Sequence, residues 1–352
     1  MTYYVNENIK KTERIFPPQE RYNYYRYDMN ENPEGLPEEF VQDVLKEITP
    51  DFLSIYPEPD AFLKKYASYI NMPFDNVLAT NGSDMAIRYL LEVFGEKDKE
   101  VVTVSPSFEM YWVNCSILGL KHVPVAYSTD MTITSDKICS YLNNNTRVVV
   151  LLNPNNPIGN VYTTEEVEQI IIKSQESGAV VIIDEAYHYF YDKTFLEMIE
   201  KYNNVIILRT FSKLFSLAAC RLGVIISNPT IIQYVKNAKL TFDVNSFALL
   251  FGEKILERND IIDQLIASEK EGKEYTLNEL IKFGYECRDC RGNFILIKTK
   301  KEPHWVEKEL KETKKILVHS YNNELLKPYL RVSVGSKNAM ELFLNAFLEI
   351  DN

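Results

Sequence analysis

Residues 205–223 read VIILRTFSKLFSLAACRLG. An apolar run, Val205 to Leu208, leads into Thr210-Phe211-Ser212-Lys213, and Arg221 follows eight residues after the lysine. The stretch sets one ammonium group among Phe211, Leu214, Phe215 and Leu217, with a second cation close behind it. An amine lodged among apolar side chains loses hydration, so its pKa falls toward the range where it is a nucleophile. A lone lysine would more simply lay its stem along the apolar surface and reach water. The rest of the chain decides between the two.

Composition narrows what such an amine could serve. With 352 residues the chain has room for two domains. Its apolar share of 45% and charged share of 25% are those of an ordinary globular protein. A formal charge of -11 leaves no basic field for nucleic acid or anionic lipid, so no nucleic-acid or membrane partner is expected. Cations gathered in so acidic a chain point to a small anionic ligand. The N-terminal MTYYVNENIKKTERIF lacks the apolar core of a secretion signal, and no apolar run approaches membrane-spanning length. A cytoplasmic location is the expectation. The five cysteines, at 115, 139, 220, 287 and 290, are odd in number and scattered, which argues against a disulfide framework. Cys287 and Cys290 have C-x2-C spacing but no second pair or histidine partners, so no metal site is expected.

From about residue 75 to 230, short β-branched runs alternate with segments of helical spacing. The runs are Val101–Val104, Val148–Leu152, Val180–Ile183, Val205–Leu208 and Gly223–Ile226. Thr163-Thr-Glu-Glu166 has the form of a capping box, with Val167, Ile170 and Ile171 on one face beyond it and Gly178 past the end. This alternation predicts an α/β fold with a mostly parallel sheet covered on both faces, and ligands outside the carboxyl ends of its strands. The last third predicts a smaller α+β unit: helix from Ile261 to Phe283, strands at Asn293–Ile297 and Leu330–Val334, and a closing helix near Met340–Ile350. Residues 1–35 read as an N-terminal arm, 36–240 as the large domain and 241–352 as the small one.

Four polar stretches fall at predicted strand ends. Asn81-Gly82-Ser83-Asp84 opens a helix whose Ile87, Leu90, Leu91 and Phe94 share a face, and its free N–H groups suit a phosphate as well as a plain N-cap. Asn153-Pro-Asn-Asn156-Pro-Ile-Gly159 is a rigid turn that can hold an amide still. Val181-Ile-Ile-Asp184-Glu185-Ala-Tyr187-His188 resembles the magnesium-binding strand of a P-loop ATPase. The only Gly-Lys pair, Gly272-Lys273, is followed by Glu274, so the phosphate loop of that class is absent. No two glycines are separated by a single residue, which excludes the G-x-G-x-x-G dinucleotide turn. Taken together, the helix start at Gly82–Asp84 with Ser212 and Arg221 could hold a phosphate, and Asp184 could pair with a protonated ring nitrogen. Asn156 and Tyr187 could bind a phenolic oxygen, and Lys213 could form an imine with an aldehyde. Pyridoxal 5'-phosphate carries all of these groups.

The order of these motifs resembles the fold-type I pyridoxal-phosphate enzymes, closest to the histidinol-phosphate aminotransferase branch. The resemblance runs from Tyr27-Asp28-Met29-Asn30-Glu31-Asn32-Pro33 through Tyr56-Pro-Glu-Pro, NGSD, PSFEMY, NPNNPIG, DEAYHYF and SKLFSLAACRLG to YLRVSVGS. It implies a large domain with a mostly parallel seven-stranded sheet and a smaller α+β domain. It also implies Lys213 as the Schiff-base lysine, holding the cofactor as an internal aldimine, and Asp184 as the partner of the pyridine nitrogen. Asn156 and Tyr187 then face the ring oxygen, and Gly82, Ser83, Asp84, Ser212 and Arg221 surround the phosphate. Phe108 falls where the family stacks an aromatic on the ring. Tyr56 matches a residue that reaches the neighbouring subunit's cofactor phosphate, which implies a homodimer with shared active sites. Arg331 matches the arginine that grips the substrate carboxylate, and Asn30 and Asn156 fall at substrate-facing positions. The chain departs from the family at His319, where these enzymes carry an arginine that helps hold the substrate phosphate. The implied reaction is transfer of an amino group between an amino acid or phosphorylated amine and a 2-oxo acid. A decarboxylase of a phosphorylated amino acid is the alternative on the same scaffold, and a sensor that only binds the cofactor is a second.

Overall fold

A computed structural model describes residues 3–12, 16 and 19–352 of the chain. The expected arm and the N-terminal stretch read for a secretion signal therefore lie partly outside the described residues, at 1, 2, 13–15, 17 and 18. The larger sheet has seven strands: β1 Val77–Asn81, β2 Glu100–Ser105, β3 Lys121–Ala126, β4 Thr146–Leu152, β5 Val180–Asp184, β6 Val205–Thr210 and β7 Leu222–Ser227. Their order across the sheet is β1-β7-β6-β5-β4-β2-β3. β7 runs antiparallel to both of its neighbours, and the other pairs are parallel.

The apolar runs decide the layering. Every residue of β5, β6 and β7 is buried, as expected for strands covered on both faces. One face packs on a cluster that includes Val149, Leu151, Ile183 and Ile207, and the other on Val148, Val150, Ile182 and Ile206. The alternation of neighbouring residues between two cores is the period of two of a strand. Thr163 and Glu166 form both bonds of the capping box, with Thr163 N–H donating to the Glu166 carboxylate at 2.9 Å and Glu166 N–H to Thr163 Oγ1 at 3.2 Å. The helix they open, Thr164–Glu176, buries Val167, Ile170 and Ile171.

Two strands of this sheet and one of the next were not signalled by composition. β1, VLATN, has three apolar residues, and β3, KHVPVA, lies at the sheet edge, where a proline is tolerated because no further strand needs the N–H it lacks. The second sheet is antiparallel, with β8 Cys287–Cys290, β9 Phe294–Lys298, β10 His319–Ser320 and β11 Tyr329–Ser333 in the order β10-β11-β9-β8. Cys287 and Cys290 are three residues apart on β8, so their side chains leave opposite faces. The 24-residue helix Asn259–Lys282 and the closing helix Lys337–Asp351 pack together over this sheet. The helix Ser246–Ile255 packs on the core of the larger sheet.

The N-terminal segment ties the two sheets together. Tyr25–Arg26 pairs in parallel with Ile316–Leu317, Tyr27 donates to Ala339 O at 2.6 Å, and Ser333 N–H donates to Tyr27 O at 2.8 Å. These contacts bring Met29 and Asn30 to the carboxyl edge of the larger sheet. Among the described residues no helix is long and apolar enough to cross a membrane.

One buried ion pair braces that edge. Arg209 of β6 donates through Nε and a terminal nitrogen to Glu185 Oε2 at 3.0 and 2.8 Å, and both residues are almost fully buried. Thr194 Oγ1 and Phe195 N–H also donate to the Glu185 carboxylate. Removing one partner strands the other charge away from water. Arg209→Met should therefore lower the unfolding free energy by about 3–5 kcal/mol in urea titrations, and the double change Arg209→Met/Glu185→Leu should recover part of that loss.

Candidate active site

Each polar turn follows the carboxyl end of a parallel strand or, at Arg221, precedes the antiparallel β7 on the same edge. Asp184 ends β5, paired across to Leu152 of β4 and Leu208 of β6. The turn after β4 begins at Asn153, and the turn after β6 holds Ser212 and Lys213. Residues far apart in sequence are thereby set side by side.

At one end of the site, the helix Gly82–Phe94 starts directly after β1. Gly82 has φ +73, and a Cβ there would meet the Arg221 guanidinium at 2.6 Å. Gly223 lies so close that its own Cβ would meet Gly82 C and Ser83 N at 2.5 Å. The turn therefore excludes side chains and presents backbone N–H groups at the positive end of a helix. Arg221 donates to Asp84 Oδ2 at 3.0 Å, to Ser212 Oγ at 3.3 Å and to Ala218 O at 3.0 Å. Helix start, guanidinium and serine together make an anion cradle, with the half-exposed Asp84 carboxylate holding the guanidinium in place.

The centre of the site has a carboxyl, a phenol and an amine. Asp184 is 2% exposed; Ala186 N–H donates to its Oδ1 at 3.1 Å and Tyr111 O–H to its Oδ2 at 2.8 Å. Burial raises its pKa to about 6, against the lowering effect of those two donors. A carboxylate has about four acceptor positions, so two remain for a ligand. Tyr187 is also buried, accepts from Asn30 Nδ2 at 2.9 Å and has its pKa pushed up to about 12, mainly by burial. The Lys213 amine lies 5.8 Å from the centre of the Tyr187 ring and donates to Met29 O at 2.8 Å. Part of Lys213 remains open to the cleft, yet the protein around its amine, and next the Arg331 guanidinium, bring its pKa down to about 8. Phe108 is half-buried at the start of the segment leading to Tyr111.

At the other end Arg331 projects from β11. It donates to Asn156 Oδ1 at 2.8 Å and to Asp28 O, and its Nε is buried. His319 lies directly across the strand pair from Arg331, with its ring edge-on to Tyr321 at 4.7 Å. Its surroundings and the Arg331 guanidinium lower its pKa to about 4, so the ring is neutral at pH 7 although one side is open to solvent. Asn30 is buried with φ +55, its N–H donating to Ser333 Oγ at 2.8 Å and its carbonyl accepting from Asn293 at 3.0 Å.

The expected site residues thus gather in one cleft, with one exception. Tyr56 is 71% exposed, stacked on Phe242 with ring centres 4.3 Å apart, and makes no contact with the cluster. Tyr111, Tyr321 and the Met29 carbonyl were missed. Tyr111 stood in the quoted PSFEMY stretch, but its reach to Asp184 depends on how the turn after β2 folds back. Phosphate cradle, acceptor carboxyl, phenol and nucleophilic amine fit pyridoxal 5'-phosphate group for group.

Comparison with known proteins agrees with this fit. The profile of the family described as Aminotransferase class I and II matches residues 23–347. A histidinol-phosphate aminotransferase of Clostridium novyi (strain NT) is 33% identical over 341 residues, covering 95% of this chain and 94% of that protein. Another, of Thermoanaerobacter sp. (strain X514), is 33% identical over 331 residues, 93% of each chain. In fold, the chain superposes on the crystal structure of histidinol-phosphate aminotransferase from Sinorhizobium meliloti in complex with pyridoxal-5'-phosphate. The TM-score is 0.88 at 19% identity, over 98% of this chain and 97% of that one.

The lowered pKa of Lys213 gives a direct check. In cofactor-free protein an acylating reagent should modify Lys213 ahead of surface lysines between about pH 8 and 9, where ordinary amines are still protonated. Peptide mass spectrometry reads the site of modification. The advantage should vanish above the ordinary lysine pKa of 10.5.

Proposed function

The chain belongs to the class I and II aminotransferases, in their histidinol-phosphate aminotransferase-like branch, and on that premise we propose that it moves an amino group from histidinol phosphate to a 2-oxo acid. It is a pyridoxal-phosphate-dependent enzyme of amino-group transfer, and its relatives favour that reaction over decarboxylation. The observation that carries the substrate reading is the Arg331 guanidinium, held by Asn156 and near enough to Lys213 to lower its pKa.

When bound, pyridoxal 5'-phosphate supplies an aldehyde that takes up the donor's amine and a ring that accepts the electron pair left by a broken carbon–hydrogen bond. In this reading the chain's residues divide the remaining work. The N–H groups of Gly82, Ser83 and Asp84, with Ser212 and Arg221, hold the cofactor phosphate. Asp184 would keep a proton on the ring nitrogen, Asn156 and Tyr187 would bind the ring oxygen, and Phe108 would pack against the ring. Lys213 would anchor the aldehyde, and its amine, once released, would be the base that takes up the donor's α-proton. A pKa near 8 leaves that amine partly neutral at pH 7, as a base requires. Arg331 grips the carboxylate of the 2-oxo acid, with Asn30 and Asn156 beside it. His319 faces the donor's phosphate as a neutral hydrogen-bond donor.

The same reading divides the chain into an arm at 1–35, a cofactor-binding domain at 36–240 and a small domain at 241–352, in a cytoplasmic homodimer. Leu53, Ile55, Tyr56, Leu240 and Phe242 are each more than half exposed and come from two segments that meet at the Tyr56–Phe242 stack. A second copy covering this face would bring Tyr56 to its neighbour's phosphate cradle. Light scattering should return twice the 41.0 kDa chain mass, and a monomer would remove Tyr56 from the site.

The purified enzyme with histidinol phosphate and a 2-oxo acid should form one keto product per amino acid made, and Lys213→Ala should lower kcat by more than roughly a hundredfold. Release of carbon dioxide without consumption of the 2-oxo acid would overturn the reading. His319→Arg should lower KM for histidinol phosphate about tenfold, since a charged donor replaces a neutral one, and leave KM for the 2-oxo acid largely unchanged.

A further inference from the structure

We infer that Tyr111 is a positioning residue for the cofactor ring, whose phenol keeps the Asp184 carboxyl ionised and aimed so that the proton shared with the ring nitrogen stays on nitrogen. The inference rests on the reading of Asp184 as the partner of that nitrogen. Tyr111 lies one residue into the helix Met110–Leu118, and its ring packs in the apolar cluster with Ile87, Leu90, Val150, Ile182 and Leu208. Its hydroxyl leaves that cluster only to donate to Asp184 Oδ2 at 2.8 Å. Both residues are 2% exposed, so no bulk water can take over the bond.

The charges around the carboxyl make this donor necessary. Asp84, from the helix start after β1, and the neighbouring Glu185 both disfavour a charge on Asp184, although Glu185 is itself paired with Arg209. Burial disfavours that charge more strongly still. Among the described residues the Tyr111 hydroxyl and Ala186 N–H oppose these effects, and the Tyr187 phenol bonds to Asn30. A more basic Asp184 would draw the shared proton onto its own oxygen. The ring would then lose the positive charge that stabilises electrons arriving from the substrate.

The proton count supplies a readout apart from turnover. In cofactor-free protein below about pH 6 Asp184 is protonated. The free cofactor's ring nitrogen also carries a proton there, and the pair needs only one. Binding then releases a proton, and affinity falls as pH drops through the Asp184 pKa. Losing the Tyr111 hydroxyl raises that pKa, so the fall begins at higher pH.

The test measures pyridoxal 5'-phosphate affinity against pH for cofactor-stripped wild type and Tyr111→Phe, together with the ¹⁵N signal of ring-labelled cofactor in the loaded proteins. Tyr111→Phe should move the break upward by about one pH unit, weaken binding near neutrality up to about tenfold, and displace the ¹⁵N signal toward that of unprotonated pyridine. An unchanged break and an unchanged ¹⁵N signal would reduce Tyr111 to packing. Should Tyr111→Phe misfold, 3-fluorotyrosine at 111 keeps the shape and is the stronger donor, so it should move the break to lower pH. No movement with it would likewise overturn the inference. Asp184→Asn separates the two levels: if its loaded form keeps the wild-type ¹⁵N signal, the reading of Asp184 itself fails, whereas a displaced signal there with none of these effects at 111 sinks only the role of Tyr111.

Discussion

A parallel sheet ends its strands along one edge, and in this protein each strand that reaches that edge hands its chain to a polar turn. Val180–Ile183 of β5 and Val205–Leu208 of β6 are apolar and buried, so they hold Asp184 and the Ser212-Lys213 turn in register. The cost of carrying a carboxyl and an amine into such surroundings appears in their altered acidities, upward for Asp184 and downward for Lys213. The same desolvation that burdens the fold makes the two groups chemically useful, since an amine that sheds its proton near neutrality serves as both nucleophile and base.

The strands most easily read from sequence were those with β-branched runs on both faces, at Val148–Leu152, Val180–Ile183 and Val205–Leu208. Edge strands were harder, because half of their surroundings is solvent or loop. KHVPVA carries a proline and CRDC two charged residues within four, and neither pattern distinguishes a strand from a turn. The site followed the same division. Lys213, Asp184, Asn156 and Arg221 stand at strand ends inside short motifs, so local reading found them. Tyr111 touches Asp184 across 73 positions of sequence, a contact that only the folded turn after β2 creates. Arg209 gave no signal either, since an arginine inside a strand looks exposed until its buried partner Glu185 is placed.

Electrostatically the cleft is graded from end to end. One end has a helix start and a guanidinium already braced by Asp84 and Ser212, so an arriving phosphate meets donors that need little reorganisation. The far end has Arg331 as a fixed cation, flanked by a neutral imidazole and an amide. Strong and weak anion binding are thus separated along the cleft, with the proton-handling groups between them.

The N-terminal segment has a part in this arrangement out of proportion to its length. Met29 supplies the carbonyl that holds the Lys213 amine, Asn30 supplies the amide that holds the Tyr187 phenol, and Tyr25–Arg26 secures both to the segment Ile316–Leu317. None of these residues contributes a strand to the larger sheet. A chain cleaved just after Asn30 would therefore keep its main scaffold while its lysine and its tyrosine each lost the partner that orients it, and the injury would register in the cofactor's colour before it registered in a melting curve.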